Sequence, residues 1–350
     1  MVIAALISPE NIPGSPLWHS LYLLSEKYPD DRFIIFSKHP LTASAGNITV
    51  VQNVPRGNAL LQQFWYRNDL SRLLKKYKAD AFISDTGILG KKLFLPQFLF
   101  FNDHSFESRL SFLFQKKLTR SLHEAKAIFS TENFITNILS EKYHADPGKL
   151  RTVYHGAAGN DGRNITAEAV KEKFTGGNDY FICPANASSA GHMMSLLKAF
   201  SLFKKRQRSS MKLVLLLNNI VEKGLIPDFE NYKYRNDVVI VTAGEKTASA
   251  LIPHAYALIW LNRYSPAKEA FRAIRHQVPV IAADTNINRD LFGNAVLFSA
   301  ISPESLTEQM QLLYKDETAK NNMAALAHVF IQKYDAAGAA EALYLGLRES

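Results

Sequence analysis

Three basic residues follow a short apolar run in the second half of the chain. Arg263 comes directly after a predicted strand at 257–261, and Lys268 and Arg272 lie in or beside a helix predicted for 266–276. Ligands of open parallel α/β sheets bind at the carboxyl ends of the strands. Cationic side chains at that edge could together neutralise a diphosphate. The sequence leaves a second interpretation open, in which all three are exposed charges at the start of a helix.

The composition limits the classes of partner. A net charge of +9 suits nucleic acid, anionic lipid headgroups or phosphorylated small molecules. The chain has neither zinc-finger spacing nor an RNA-recognition strand motif, so we predict no nucleic-acid partner. The densest basic run, 204–208, ends a predicted helix, and we interpret it as a solvated helix terminus.

The cysteine, histidine and apolar residues indicate whether the protein has disulfides, a bound metal or a membrane span. The single cysteine, Cys183, excludes an intrachain disulfide and a multi-cysteine metal site. Because no two histidines have metal-ligand spacing on a helix, we predict no bound metal, and no tightly bound cofactor. Residues 1–8 are interpreted as a buried strand and not as a signal peptide. With no apolar run of the ~18 residues that a membrane span needs, we predict a cytoplasmic protein.

Short apolar runs alternate with longer amphipathic segments along the whole chain. Within 58–77, the residues Leu70, Leu73, Leu74 and Tyr77 share one helical face. Fully apolar short strands separated by helices are typical of a parallel sheet that is covered on both faces. The predicted strands are 2–7, 33–36, 48–51, 81–84, 98–101, 127–129 and 152–154 in the first half, and 180–183, 212–217, 238–241, 257–261, 279–282 and 295–298 in the second.

The glycine-rich stretch 156–179 separates the two halves, and its composition predicts an interdomain linker. We therefore predict an N-terminal Rossmann-like domain at 1–158 and a C-terminal one at 175–335. The last segment, 336–350, contains an amphipathic helix with no strand after it. Because its apolar stripe needs cover, we predict that this helix returns towards the first domain.

Four stretches carry a resemblance to a known family: AKAIFSTENFITNILSEKYHADPGKLRTVYHGA, YFICPANASSAGHMMSLLKAF, ALIWLNRYSPAKEAFRAIRHQVPVIAAD and DLFGNAVLFSAISPESLTEQMQLLYKD. In order and spacing they are similar to the retaining GT-B glycosyltransferases, a family that includes many bacterial polysaccharide enzymes. The likeness covers roughly residues 125–335. It implies an α/β fold of the GT-B type, with two doubly wound Rossmann-like domains separated by a cleft, and a nucleotide-diphosphate sugar as the donor substrate.

The resemblance also implies a donor site, and this chain departs from it. In the family, one Glu accepts hydrogen bonds from the ribose hydroxyls and a second Glu, which precedes it with seven residues between the two, contacts the sugar. Aligned on Pro279, these carboxylates fall at Arg272 and Tyr264. A one-turn insertion would instead make Glu269 the ribose carboxylate. We therefore take Glu269 as a candidate catalytic residue.

The implied phosphate loop follows the strand 180–183. The alignment puts Gly191 and His192 where the family has Lys-Asn, so the phosphate-binding Lys is missing from its place. Arg263, Lys268 and Arg272 are the candidate substitutes. The other candidate nucleotide-binding residues are Gly14, Asn186, Ser188, His192 and Gly244.

Two strand ends in the first half offer further polar residues. Asp103 and His104 follow the strand 98–101 and look like the family's His-Asp loop in reversed order. His104 could contact the sugar or the acceptor, or the pair could be a capping Asp and a surface His. Asp85 and Thr86 also end a strand, where helix capping explains them at least as well.

The segment 106–124 predicts a basic amphipathic helix. Its core-facing stripe is Leu110, Leu113, Phe114 and Leu118, and Phe106 and Phe112 fall outside this stripe, near Lys116, Lys117 and Arg120. Such a helix suits peripheral contact with anionic lipid, although burial explains most of the pattern.

Together these observations predict a cytoplasmic glycosyltransferase that moves a hexose from a nucleotide sugar to a saccharide or lipid-linked acceptor, as in polysaccharide or cell-envelope glycan synthesis. Retention is implied by the resemblance alone. The displaced family carboxylates favour an alternative, a catalytically degenerate GT-B protein that acts as a binding partner. A third hypothesis is a basic module that binds polyanions without nucleotide specificity.

Overall fold

The computed structural model divides the chain into two compact units, Met1–Ala158 with Tyr334–Ser350, and Gly159–Lys333. The chain thus leaves the first unit once and returns to it for its last segment. The residues that the structure describes are 1–8, 15–38, 46–52, 54–55, 64–91, 93–102, 106, 112–154, 165–185, 190–217, 229–242, 245–262 and 267–349.

The first unit contains a seven-stranded sheet in which every strand pair is parallel. Its spatial order is β3-β2-β1-β4-β5-β6-β7. The strands are β1 (Val2–Leu6), β2 (Arg32–Phe36), β3 (Ile48–Val51), β4 (Ala81–Ser84), β5 (Gln97–Phe101), β6 (Ala127–Ser130) and β7 (Leu150–Thr152).

Both faces of the central strands of this sheet are buried, which is why those strands are apolar at most positions. In β2, Phe33 and Ile35 belong to one core cluster, whereas Ile34 and Phe36 belong to the cluster on the opposite face. The described helices of this unit are α1 (Pro16–Lys27), α2 (Leu70–Tyr77), α3 (Phe112–Glu124), α4 (Asn133–Glu141) and α12 (Ala336–Arg348).

The last helix, α12, packs against α1 and against the sheet. The rings of Tyr28 and Tyr344 stack with their centroids 4.1 Å apart. Glu341 accepts hydrogen bonds from Lys27 Nζ and Tyr28 Oη, each at 2.7 Å. Asp31, between α1 and β2, accepts from the Tyr344 hydroxyl. The apolar stripe of the terminal helix is therefore covered by the first unit.

Close approach of α12 to the sheet requires a glycine at position 346. A Cβ added to Gly346 would lie 2.7 Å from the ring of Phe129, which is 1% exposed. We expect Gly346→Ala to destabilise the protein by about 1–2 kcal/mol, because overpacking outweighs the gain of about 1 kcal/mol in helix propensity. Urea unfolding measures the change. In a Phe129→Leu background the penalty should shrink, and an equal penalty in both backgrounds would contradict the steric explanation.

The second unit contains a six-stranded sheet that is also parallel throughout, in the order β10-β9-β8-β11-β12-β13. Its strands are β8 (Tyr180–Pro184), β9 (Lys212–Leu217), β10 (Val238–Thr242), β11 (Ala257–Trp260), β12 (Val280–Ala283) and β13 (Leu297–Ser299). Its described α-helices are α5 (Ala167–Thr175), α6 (Ala190–Gln207), α7 (Glu245–Leu251), α8 (Lys268–Arg275), α9 (Asn286–Phe292), α10 (Pro303–Lys315) and α11 (Glu317–Ile331).

Helices cover both faces of this sheet as well. On one face α6 and α10 pack together over a cluster that includes Phe200 and Met310. Elsewhere in the unit α8 packs against α11, where the rings of Phe271 and Phe330 stack 6.3 Å apart.

Some boundaries differ from the sequence prediction. The strand β7 lies two residues before the predicted 152–154, and β13 begins two residues after the predicted start of 295–298. Part of the stretch assigned to a linker forms the helix α5, which Thr166 caps by accepting from Ala169 N–H. That helix ends at Gly176, whose φ of +59° is a left-handed conformation that glycine adopts readily.

The basic run 204–208 is only partly solvated, which corrects the sequence interpretation. Lys204 is 8% exposed, and its Nζ donates to the carbonyl oxygens of Ser209 and Met211. It also lies 3.0 Å from Asp237 Oδ2, while Lys212 Nζ lies 2.7 Å from Oδ1 of the same carboxylate. Lys204, from the run, and Lys212, at the start of β9, thus both bind the carboxylate that precedes β10.

Asp237 gives the stability of this unit an acid-sensitive component. Burial raises the pKa of this carboxyl, but hydrogen bonds from Lys212 and Lys204 more than offset it, so the pKa is lowered overall. A lowered folded-state pKa contributes stability above the unfolded value of about 4, and this contribution is lost as the pH falls through the folded value. We expect Asp237→Asn to lower the free energy of unfolding at pH 7, by a margin that shrinks at pH 3. Urea titrations at both pH values, with the exposed Asp30→Asn as control, test this; a margin independent of pH would refute it.

Candidate functional site

Each sheet has one position where the chain reverses the direction in which strands are added. In the first sheet it lies between β1 and β4, and in the second between β8 and β11. The connections leave such a pair of strands on opposite faces, so a crevice opens at their carboxyl ends. These two switch points are the places at which a ligand is expected.

The second switch point is where the sequence places the candidate phosphate-binding residues. Asn186 and Ser188 follow β8, and Arg263 follows β11, but all three lie outside the described residues, as does Gly244. His192, another of the candidate nucleotide-binding residues, is described. It occupies the first turn of α6 and is half-buried.

The helix that follows β11 begins at Lys268. Its N-cap residue, Ala267, makes no side-chain cap hydrogen bond. Lys268 is exposed and Glu269 is half-buried in this turn. A helix N-terminus with a lysine binds anions well, and a neighbouring carboxylate can accept hydrogen bonds from hydroxyl groups.

Arg272 differs in its environment from Lys268. It lies one turn further along α8 and is 2% exposed. The interpretation of the basic residues as exposed charges at a helix start is therefore wrong for Arg272. The position to which the alignment assigns a ribose carboxylate is occupied by a buried guanidinium.

Asn288 is a buried residue that the sequence analysis did not identify. It is 1% exposed, and its Nδ2 donates to the carbonyl oxygens of Asn262, at 3.2 Å, and Ala283, at 2.8 Å. It therefore links Asn262, which follows β11, to the end of β12. No local sequence pattern signals this contact, because its two acceptors are backbone oxygens.

In the first unit, the candidate residues Gly14, Asp103 and His104 lie outside the described part of the chain. Asp85 is described, and it does not cap a helix, because residues 85–91 form none. Its Oδ1 accepts from Ser8 N–H at 2.6 Å, and its own N–H donates to Leu6 O at 3.2 Å. The capping explanation of Asp85 is thus wrong; this residue bridges β4 to the end of β1.

A chain of hydroxyl groups lies beside Asp85. Thr86 Oγ1 is 2.8 Å from both Ser84 Oγ and Tyr66 Oη. Tyr66 belongs to a π-helical turn, Trp65–Asp69, and such turns are frequent at functional sites. Trp65 is 2% exposed, and its indole N–H finds no acceptor among the described residues.

The basic helix of the first unit is oriented differently from the prediction. Phe106 is 4% exposed and packs edge-on against Phe101 and Tyr143, so it is a core residue. Leu113, assigned to the core stripe, is 65% exposed, whereas Leu118 is fully buried as predicted. Leu110 and the side chain of Phe112 are outside the described part of the chain.

Other chemistry is limited in the part of the chain that the structure describes. Burial raises the pKa of the Cys183 thiol to about 12, which makes it a poor nucleophile. No group of three metal-ligating side chains occurs among the described residues. Within the same residues, no helix combines the length and the apolar character that crossing a bilayer requires.

Solved structures similar to this protein include enzymes that act on nucleotide sugars. A glycosyltransferase from Rickettsia africae is 14% identical, with a TM-score of 0.73 over 99% of this chain and 98% of that one. Anabaena HepE, in complex with UDP and glucose, is 13% identical, with a TM-score of 0.72 over 99% of both chains. A UDP-GlcNAc 2-epimerase from Neisseria meningitidis, bound to UDP-GlcNAc, is 13% identical, with a TM-score of 0.68 over the full length of both.

These likenesses, with the two parallel sheets, show the GT-B fold, which confirms the fold predicted from the sequence. The same fold occurs in glycosyltransferases and in UDP-GlcNAc 2-epimerases. No family model matches the sequence, and no curated protein matches it.

Proposed function

We propose that this protein is a glycosyltransferase that moves a hexose from a nucleotide-diphosphate sugar to a saccharide or lipid-linked acceptor, with retention of configuration. The observation that carries the proposal is the first turn of α8, after β11 at the second switch point, where Lys268 and Glu269 lie at a helix N-terminus whose N-cap residue, Ala267, supplies no side-chain cap. A diphosphate and a ribose need these groups. Fold alone does not define activity, so the proposal depends on this site.

Each candidate residue has a specific role in this proposal. The cationic and small residues bind the diphosphate through charge and backbone N–H groups, and Glu269 accepts from the ribose hydroxyls. Asp103 and His104 contact the transferred sugar or the acceptor. The nucleotide-binding set is Gly14, Asn186, Ser188, His192, Gly244, Arg263, Lys268 and Arg272.

One observation favours the alternative of a catalytically degenerate binding protein. The alignment assigns the ribose carboxylate to position 272, and the buried side chain there is a guanidinium. A guanidinium has five N–H donors and no acceptor, so it cannot replace a carboxylate in binding ribose hydroxyls. Under the alternative, the protein binds a nucleotide or a partner without turnover.

A screen of stability against nucleotide sugars tests the proposal. We expect one of the UDP, GDP, ADP or dTDP sugars, at 100 times its dissociation constant, to add about 2.7 kcal/mol to the free energy of unfolding. Slow release of the free nucleotide from that sugar then distinguishes an enzyme from a binding protein. If none of these ligands stabilises the protein, the glycosyltransferase proposal is wrong, and a binding protein for another partner is the alternative that is left.

We also propose a cytoplasmic location with peripheral contact at an anionic membrane surface. The exposed Leu113 lies on α3 with the exposed Lys116 one turn away, an apolar and a basic group on one outer surface. Sedimentation with phosphatidylglycerol vesicles should capture the protein, and Leu113→Glu should reduce capture. Equal capture by phosphatidylcholine vesicles would contradict the electrostatic contribution.

A further inference from the structure

The second sheet ends in an edge strand, β10, that lacks the protection usual for such strands. An edge strand presents unpaired N–H and C=O groups along its free side, and proteins commonly shield it by shortness, charge or proline. Among the described strands, β10 has β9 on one side and no neighbour on the other. Its five residues, VVIVT, include neither a charge nor a proline. The strand is therefore open to pairing with a further strand.

The other sheet edges of the two units are better protected. The strand β7 has three residues and carries the exposed Arg151. The strand β13 also has three residues, and the guanidinium of Arg289 lies over its Phe298 ring, 4.8 Å from the centroid. Each side chain of β3 is buried or half-buried. In β10, by contrast, Ile240 is 41% exposed.

The exposed Ile240 lies at the rim of a packed face. Side chains alternate between the two faces of a strand, so Ile240 lies on the same face as Val238. Val238 is 8% exposed and belongs to the core cluster under α6 and α10. The same cluster contains Leu215, the residue of β9 that is in register with Ile240. The apolar surface of this face therefore continues as far as Ile240, and a strand added at the edge would bury that side chain.

We infer that β10 pairs antiparallel with β10 of a second copy of this chain, about a two-fold axis at Ile240. In this arrangement Ile240 faces Ile240 of the copy, each Val239 faces a Val241, and each Val238 faces a Thr242. Every facing pair joins β-branched residues, which suit a paired strand, and no pair brings like charges together. The strand is thus complementary to itself, and the pairing joins the two six-stranded sheets into one.

The charges beside the strand suit this antiparallel arrangement. The exposed Lys233 and Arg235 precede β10, and Asp237 is bound by Lys204 and Lys212, so this end of the strand is basic. The two-fold axis puts the basic ends of the two copies at opposite ends of the paired strands. They are then separated by at least the length of a five-residue strand, about 17 Å. This is about twice the Debye length at physiological ionic strength, so their repulsion is largely screened.

The size of the edge determines how tightly the copies bind. Specific, stable interfaces bury about 800 Å² on each partner, and a single five-residue strand offers less than this. We therefore expect a reversible dimer with a dissociation constant of about 1–100 μM, and not an obligate one.

Sedimentation velocity of the full chain, at about 1–300 μM, tests the dimer. Ile240→Lys puts like charges directly opposite each other, and it should raise the dissociation constant about tenfold or more. The control is Val329→Lys, which makes the same change in charge at a residue of α11 that is 68% exposed. This control should dimerise as the parent does. Urea unfolding of both variants checks that they retain the parent fold.

Cysteine cross-linking tests the register. Facing residues of an antiparallel pair have Cβ atoms about 4.5–5.5 Å apart, so Ile240→Cys should form an interchain disulfide under mild oxidation. Thr242→Cys faces Val238 of the copy, and its own counterpart lies four residues along the strand, about 13 Å away. It should not cross-link. The native Cys183 is fully buried and so does not interfere.

The inference does not rest on the proposed function, and each measurement can overturn it. A parent protein that stays monomeric at about 300 μM would refute the dimer, including the case in which a strand of another protein occupies the edge. Equal dissociation constants for Ile240→Lys and Val329→Lys would show that the copies meet elsewhere. Equal cross-linking by Ile240→Cys and Thr242→Cys would refute the two-fold axis at Ile240.

Discussion

Asn47→Asp should strongly lower the free energy of unfolding of the first unit. The Asn47 side chain lies just before β3, and its Nδ2 donates to the carbonyl oxygens of Ser25, Tyr28 and Asp31 at 3.0–3.2 Å. One amide thus holds the end of α1, the turn that follows and the start of β3. A carboxylate cannot donate to any of these oxygens, and it adds a negative charge among them.

We expect a loss of about 2 kcal/mol or more in the free energy of unfolding, since the carbonyl oxygens of Ser25 and Asp31 each lose a donor at about 1 kcal/mol or more, whereas Tyr28 O keeps the N–H of Asp31. The melting temperature of a unit this size should fall by about 4–8 °C. Urea and thermal unfolding followed by circular dichroism measure both quantities. The control is Asn322→Asp on the exposed surface of α11, which should change stability by less than about 0.5 kcal/mol. A loss below about 1 kcal/mol at position 47 would show that other donors satisfy these carbonyls.

Glu269→Gln should weaken binding of the nucleotide sugar by about 1.5–3 kcal/mol, or roughly 10- to 150-fold. The reason is that an ionised carboxylate beside a helix N-terminus accepts from both ribose hydroxyls, whereas an amide has a single, uncharged acceptor oxygen. Calorimetric titration with the ligand found by the stability screen measures this difference.

A control for Glu269 is available in the same unit. Glu304 lies in the first turn of α10 and is exposed, so Glu304→Gln makes the same change in charge at another helix N-terminus. This control should bind the nucleotide sugar as the parent does. Unchanged affinity in Glu269→Gln would remove the last family carboxylate from the site, and the non-catalytic reading would then be preferred.

The sequence by itself determined the class of fold, because the burial of each strand and helix leaves a pattern in its own residues. Strands buried on both faces are apolar at most positions, and helices buried on one face show a 3.6-residue period. The pattern Leu70, Leu73, Leu74 and Tyr77 predicts the face of α2 that the core covers, and Leu70 and Leu74 are fully buried. The thirteen predicted strands each have a counterpart, with β7 and β13 shifted by two residues or fewer at their starts.

Only the tertiary structure decided which side chains meet. The spacing of Leu113, Phe114 and Leu118 does not decide which face of the helix is buried. In the structure Leu118 packs in the core, whereas Leu113 is exposed. The link from Asn288 to Asn262 joins residues 26 apart, and the bridge from Asp85 to Ser8 joins residues 77 apart. The burial of Arg272 depends on how its helix packs against other elements. Such contacts leave no periodic trace in the sequence, because their partners are backbone groups that any residue type supplies.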